Sequence, residues 1–289
     1  MGFPPFTQEH HTAPYAGIDP RRPAVSAAGK TILITGGGSG IGPRIAEAFA
    51  VAGSKQIVLL GRTNSTLLKT KSTLESTHSG LKVLIFVADI TDVSAVNAAF
   101  HGTRATFGPI DIFVSNAAFL PDTVQIKDMI VSDFAQGLTT NVVGNLVTTQ
   151  AFLATAAPSN AVLIHVTTGA VHLPSMVNYS GYQTSKTAAL KFFEAVQAEN
   201  PDIRVMNVHP GYLATDMNVK GLGSDNSIPF DNLDLPGHFM VWAASPEAAF
   251  LKGKVIWSNW DVEELKARKR ELEGGEMLTM VLNGWPRKD

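Results

Sequence analysis

The 289-residue chain has tyrosines at 15, 179, 182 and 212, and Tyr182 alone has a lysine four positions on, Lys186. On a helix, residues four apart share a face, so the ammonium can approach the phenol. A cation beside a phenol favours phenolate and lowers its pKa from about 10. That spacing predicts an acid–base pair for interconverting an alcohol and a carbonyl near neutral pH. Far upstream runs Thr35-Gly36-Gly37-Gly38-Ser39-Gly40-Ile41-Gly42. Glycines let a backbone turn tightly and approach a pyrophosphate, and a following helix offers free N–H groups and a positive dipole end. The spacing is TGxxxGxG, which singles out Gly36, Gly40 and Gly42. It lacks the lysine of a nucleoside-triphosphatase loop.

A third position reads the cofactor. Nucleotide-binding α/β folds place an acid after the second strand to hold a ribose 2′-hydroxyl, and that acid repels a 2′-phosphate. Here Gly61-Arg62-Thr63-Asn64 stands instead. Arg62 offers a planar fork of donors to a phosphate; the plain alternative is a solvated arginine at a loop start. The histidines at 10, 11, 165 and 209 have no metal-ligand spacing, so no metal site is expected. His172 lies between Thr168 and Tyr182, either touching substrate or solvated on a loop.

The elements that must carry these residues follow from the apolar pattern. Strands are expected at 31–35, 57–60, 83–88, 110–115, 161–166, 203–208 and 254–257. Helices are expected at 41–52, 64–77, 92–106, 132–156, 183–199 and 261–273, the last carrying a Glu264–Arg268 pair on a solvated face. Several strands are continuous apolar runs, the mark of a parallel sheet buried on both faces. Alternating strands and helices then indicate a single doubly wound, Rossmann-type α/β domain. Residues 211–236, rich in Gly, Asn, Asp and Pro, read as a lid over the strand ends. The domain is expected over 30–260 including that lid, after an arm at 1–29 and before a C-terminal helix and tail at 261–289. The arm reads as a surface strap or a disordered tail.

Composition narrows the function. Hydrophobic residues make up 45% and charged residues 17%, with a net charge of -2, so nothing advertises nucleic acid or an anionic membrane as partner. There is no cysteine, which excludes disulfides, thiolate catalysis and Cys-ligated metal. No apolar run reaches the ~18 residues of a membrane span, and no signal peptide is visible, so a cytoplasmic protein is expected.

With these motifs in order, residues 30–216 resemble the short-chain dehydrogenase/reductase family. The C-terminal run from Pro236 is similar to a fungal branch of it. Thr35 to Gly42 match the family's glycine loop, Asp89-Ile90 its adenine-side acid, Ser115-Asn116-Ala117-Ala118 its NNAG, and Asn141 its catalytic Asn. Tyr182 and Lys186 match YxxxK, and Pro210-Gly211 with Thr215 match the nicotinamide-side segment. The resemblance implies an NADP(H)-dependent oxidoreductase acting on a small, largely apolar carbonyl compound or secondary alcohol, a fungal secondary-metabolite intermediate among the candidates. Catalysis would fall to Asn141, Thr168, Tyr182 and Lys186, with Asn141 anchoring a water that links Lys186 to solvent. The cofactor would lie on Gly36, Ser39, Gly40, Ile41, Gly42, Arg62, Asp89, Ile90, Asn116 and Ala117, and beyond them on Tyr182, Lys186, Pro210, Gly211, Leu213 and Thr215. Helices 132–156 and 183–199 carry more apolar residues than one buried face needs. In the family these helices form the dimer interface, so a homodimer or homotetramer is expected.

Two departures stand out. Ala118 replaces the last glycine of NNAG, which is tolerable if its φ is not positive. The family's catalytic serine lies 13 residues before the tyrosine, where this chain has Gly169. One inserted residue within 169–181 would give Thr168 that role; otherwise it is a strand-end threonine. A non-redox isomerase, dehydratase or cyclase on the same fold, or a nucleotide-sensing binding protein, is the competing reading.

Overall fold

A computed structural model describes residues 6–222 and 229–282. Seven strands form one sheet: β1 (Thr31–Thr35), β2 (Gln56–Gly61), β3 (Lys82–Val87), β4 (Ile112–Ser115), β5 (Val162–Val166), β6 (Arg204–His209) and β7 (Val255–Trp257). All neighbours are parallel, in the order β3-β2-β1-β4-β5-β6-β7. The order reverses between β1 and β4, and ligands of such sheets bind in the crevice beyond the strand ends at that point. The single Rossmann-type domain expected from the alternating pattern is the fold observed.

Continuous apolar runs are used on both faces. Ile32 and Ile34 of β1, Ile112 and Val114 of β4, and Ile164 of β5 belong to one core. Their neighbours Leu33, Phe113 and Leu163 belong to the other. Phe113 meets Phe100 edge-on at 5.3 Å and Phe152 at 5.3 Å, in the range where aromatic pairs add to simple burial.

The crossover helices are α1 (Gly42–Val51), α2 (Asn64–Thr77) and α3 (Val93–Phe107), followed by α4 (Val131–Leu138), α5 (Gly144–Thr155) and α6 (Ser180–Glu199). The single helix expected over 132–156 is α4 and α5 joined by a π turn at Thr139–Val143. Such one-turn bulges gather at functional sites, and this one contains the buried Asn141. The expected lid at 211–236 is not one irregular loop. It carries α7 (Asp216–Leu222) and runs into α8 (Leu235–Ala244); Ile228 lies outside the described residues.

The helix expected over 261–273 breaks at Arg268 into α9 (Val262–Ala267) and α10 (Lys269–Leu272). The Glu264–Arg268 pair does not form. Arg268 pairs with Glu271 at 2.7 Å, while the Glu264 carboxylate accepts the Gln8 and Glu9 amides at 2.7 and 2.8 Å. Backbone donors of the arm outcompete an exposed ion pair, which contributes little. Residues 6–29 therefore lie as a strap, with Phe6 against Trp260 and under the Arg268 guanidinium. Among the described residues no helix is long and apolar enough to cross a membrane.

Candidate active site

The cleft beyond the strand ends encloses about 550 Å³, within the usual range for small-molecule sites. At its β1 end, Gly36 and Gly40 take φ of +69° and +57°, the left-handed region that favours glycine. Gly42 is required by contact: a Cβ there would stand 2.1 Å from the Gly36 carbonyl oxygen. One at Gly38 would stand 2.5 Å from Thr66 Oγ1. The loop is thus folded tightly on itself at the mouth of α1, leaving backbone where side chains would fill the space.

β4 is tied to that loop. Asn116 Nδ2 donates to the Thr35 carbonyl at 2.9 Å, and the Asn116 and Ala117 amides donate to Thr35 Oγ1 at 3.0 and 3.1 Å. Ala118 is absent from the described non-glycine residues with positive φ, so its Cβ strains nothing. After β2, Arg62 lies 67% exposed, with Nη1 3.9 Å from Asp89 Oδ2. Asp89 itself accepts from the Thr91 amide and hydroxyl at 2.9 and 2.7 Å. Burial pushes its pKa up, but these bonds and Arg62 outweigh it and hold the carboxyl below its ordinary value. Gly144 packs on Ile90, where a Cβ would come within 2.7 Å.

At the far end of the cleft, α6 presents Tyr182 and, one turn on, Lys186. The lysine is 3% exposed, and its Nζ donates to the Val166 carbonyl at 2.8 Å. Burial lowers its pKa to about 8. The expected lowering of the Tyr182 pKa by Lys186 is not what the structure shows. Burial of the phenol dominates and pushes it up to about 12, while a hydrogen bond with the Thr168 side chain acts in the opposite direction. Lys186 is not among the causes of that shift; its Nζ donates to the Val166 carbonyl.

Thr168 and Gly169 divide the questioned position between them. A Cβ at Gly169 would lie 3.0 Å from Trp257 Cζ2, so a side chain there needs the indole to give by a few tenths of an ångström. Thr168 lines the cleft with Tyr182, and its Oγ1 accepts the Ala170 amide at 3.3 Å. Asn141 binds the Phe119 backbone on both sides: Oδ1 accepts the amide and Nδ2 donates to the carbonyl, each at 2.8 Å. Nδ2 also donates to Ser185 Oγ at 3.0 Å, fixing the turn of α6 before Lys186. Its carbonyl accepts from Asn145 Nδ2 at 2.6 Å.

The cleft also gathers Ser39, Ile41, Pro210, Gly211, Leu213 and Thr215 on its lining. Sequence reasoning missed Tyr179, Tyr212, His209 and Trp257 there. The signal was available for two of them, since His209 and Trp257 end parallel strands whose termini face the crevice. His209 Nδ1 accepts from the Gly169 amide at 3.0 Å, and burial holds its pKa down at about 3, so it stays neutral. No cluster of metal-ligating side chains occurs among the described residues.

The family model for short chain dehydrogenase matches residues 30–223. The chain belongs to the short-chain dehydrogenase family. Its relatives include the short chain dehydrogenase/reductase AacuD of Aspergillus aculeatus, 33% identical over 92% of each chain. Another is nsrO of Aspergillus novofumigatus, 32% identical over 96% of each. A short-chain dehydrogenase from Burkholderia cenocepacia, solved in complex with NADP, shares the fold. Its TM-score is 0.73 at 24% identity, covering 82% of this chain and 98% of that one. The fungal branch read from the C-terminal run is therefore supported, and oxidoreductase chemistry comes with the family.

The residues fit a nicotinamide dinucleotide on two observations. The glycine loop lines the cleft at the mouth of α1, with Gly36 and Gly40 in left-handed backbone that brings main chain to its surface. The buried Lys186 ammonium, with three N–H donors, finds one acceptor among the described residues, so it has donors to spare for a ribose hydroxyl.

Proposed function

We propose that the protein is an NADP(H)-dependent oxidoreductase interconverting a carbonyl and a secondary alcohol on a small, largely apolar molecule. The observation that carries this reading is the cleft itself, which begins at the glycine loop and ends at Thr168, Tyr182 and the buried Lys186, whose Nζ donates to the Val166 carbonyl. Bound NADP(H) supplies the hydride, the one piece of chemistry the side chains lack. Tyr182, held protonated by burial, donates its phenolic proton to the carbonyl oxygen as that oxygen gains charge, and takes it back in the oxidising direction. Thr168 holds the same oxygen. Lys186 binds the nicotinamide-side ribose and stabilises the phenolate formed when Tyr182 gives up its proton. Asn141 fixes the helix turn that carries both and offers its carbonyl to a water linking Lys186 to solvent. The resemblance to fungal relatives favours a secondary-metabolite intermediate as the substrate.

Arg62 selects the phosphorylated cofactor. Its contact with Asp89 is long and exposed, so turning it to a 2′-phosphate forfeits little. A charge-assisted bond to phosphate contributes about 1.5–3 kcal/mol, and each ~1.4 kcal/mol is tenfold in affinity. Ser39 stands where many NADP-using members carry a second basic residue, so the preference rests on Arg62. Fluorescence titration of wild type and Arg62→Ala tests this. NADPH should bind about ten- to a hundredfold tighter than NADH to wild type, and Arg62→Ala should erase that difference while leaving NADH affinity unchanged. Equal weakening of both cofactors would mean that Arg62 stacks on adenine and does not read the phosphate. The reaction itself is tested by following absorbance at 340 nm while NADPH and a panel of ketones and aldehydes are mixed with the protein. Carbonyl-dependent loss of absorbance is expected.

A further inference from the structure

A second cavity, of about 590 Å³, lies beside the first. Leu173 and Trp257 stand in the walls of both. It is roofed by the two ends of the chain, outside the 30–223 segment that matches the family. Phe6 and His10 come from the strap, and Leu278, Thr279 and Met280 from the C-terminal segment. Both ends are anchored. Glu264 holds the strap by two amides. The Val255 amide donates to the Leu278 carbonyl at 2.8 Å, and the Met280 amide to Glu194 Oε1 at 2.7 Å.

Part of the lining is aromatic: Trp257 and Trp260 lie parallel within 2° at 6.0 Å between centroids, Phe6 lies 5.0 Å from Trp260, and His172 5.5 Å from Trp257. Leu190, Val255 and Met280 add aliphatic side chains to the lining. The Trp257 indole N–H is already donated to His172 Nε2 at 3.2 Å, and His209 packs T-shaped against the ring at 4.4 Å, so Trp257 meets the cavity as an apolar surface. A cavity lined by aromatic and aliphatic side chains suits a flat ring system, which gains stacking as well as burial.

The distance to the reaction centre is short. The indole edge touches the position of Gly169, and the adjacent Thr168 lines the cleft with Tyr182. We propose that the chamber behind Trp257 is a subsite for the distal part of the substrate, and that this part is a flat, fused-ring aromatic system. The carbonyl end then lies at Tyr182 and the rings pass Trp257 and Leu173. This rests on the proposed carbonyl chemistry for the near end alone; the chamber and its preference for rings stand on their own residues.

The test is isothermal titration of the full chain with 2-naphthol, a flat ring that carries no carbonyl to reduce, and with 1-octanol as the chain-like alternative. Thr279→Trp fills the chamber from a half-buried position on the C-terminal segment, and Thr279→Ser is its control. Wild type and Thr279→Ser should bind 2-naphthol more tightly than 1-octanol. Thr279→Trp should weaken 2-naphthol at least tenfold, with its NADPH affinity and thermal midpoint unchanged. Failure of wild type to bind 2-naphthol, unaltered binding by Thr279→Trp, or tighter binding of 1-octanol would each overturn the proposal. Turnover then places the chamber on the substrate's path. The ratio of kcat/KM for 2-tetralone to that for cyclohexanone should fall at least tenfold in Thr279→Trp, and an unchanged ratio overturns the subsite. If NADPH is oxidised by no carbonyl at all, the redox reading fails while the 2-naphthol titration still decides the chamber.

Discussion

Thr168 is the residue on which the proposed chemistry departs from its family. The family's serine spacing lands on Gly169, where Trp257 crowds a Cβ, and the proposal gives that hydroxyl's role to Thr168 one position earlier. Thr168→Ala should therefore lower kcat about a hundredfold or more, the usual loss of one donor to a developing oxyanion, while Thr168→Ser retains most of it. Steady-state kinetics with a saturating cofactor decides between them; equal activity in both variants would make Thr168 a strand-end residue. Lys186 carries the second prediction at this scale. Its buried ammonium has a pKa near 8 against 10.5 unfolded. Below pH 8 the folded protein bears the full cost of burying the charge. Between about 8 and 10.5 the unfolded chain binds more protons than the folded one, so this residue makes stability rise with pH. Lys186→Met should be more stable than wild type at pH 7 in thermal melts without cofactor, with the gap closing as pH rises through that window. A destabilised Lys186→Met at pH 7 would contradict it. The glycine loop and the Tyr–Lys spacing were legible because spacing along one element is a local property. The raised Tyr182 pKa was not, because it depends on burial, which only the folded chain sets.

At the scale of elements, the hydrophobic pattern announced each strand to within about two residues because both faces of a parallel sheet must be apolar. It could not announce the π turn at Thr139–Val143, whose cause is the pairing of Asn141 with the distant Phe119 backbone. The break at Arg268 was hidden for the same reason. Glu264 looked like half of a helical ion pair and is instead the anchor of the strap, some 255 residues away in sequence. Glu264→Ala removes both acceptors from the Gln8 and Glu9 amides. Hydrogen exchange over residues 6–12 should quicken, with a global cost of about 1 kcal/mol, the net value of such bonds. Unchanged protection of those amides would show that Phe6 packing alone holds the strap.

For the whole molecule, the expected surplus of apolar residues on the two long helices resolves into two groups. Val147, Phe152, Leu190, Phe193 and Val196 are consumed by the core. Val131, Val143 and Leu146 stand 81%, 47% and 41% exposed along α4 and α5 and their junction. We propose that this stripe is covered by a second copy. Light scattering at micromolar concentration should give a dimeric or tetrameric mass, and Val143→Glu with Leu146→Glu should shift it toward monomer. A monomeric wild type would assign the stripe to solvent.

The central claim is that Tyr182 is the proton donor in a carbonyl reduction that uses NADPH. It is tested most directly by a single-turnover measurement at 340 nm on wild type and Tyr182→Phe, each pre-saturated with NADPH and mixed with a carbonyl substrate found in the panel. Wild type should consume the bound NADPH, and the phenylalanine variant should hold the same NADPH with unaltered affinity and fail to oxidise it. Oxidation by Tyr182→Phe at close to the wild-type rate would contradict the account.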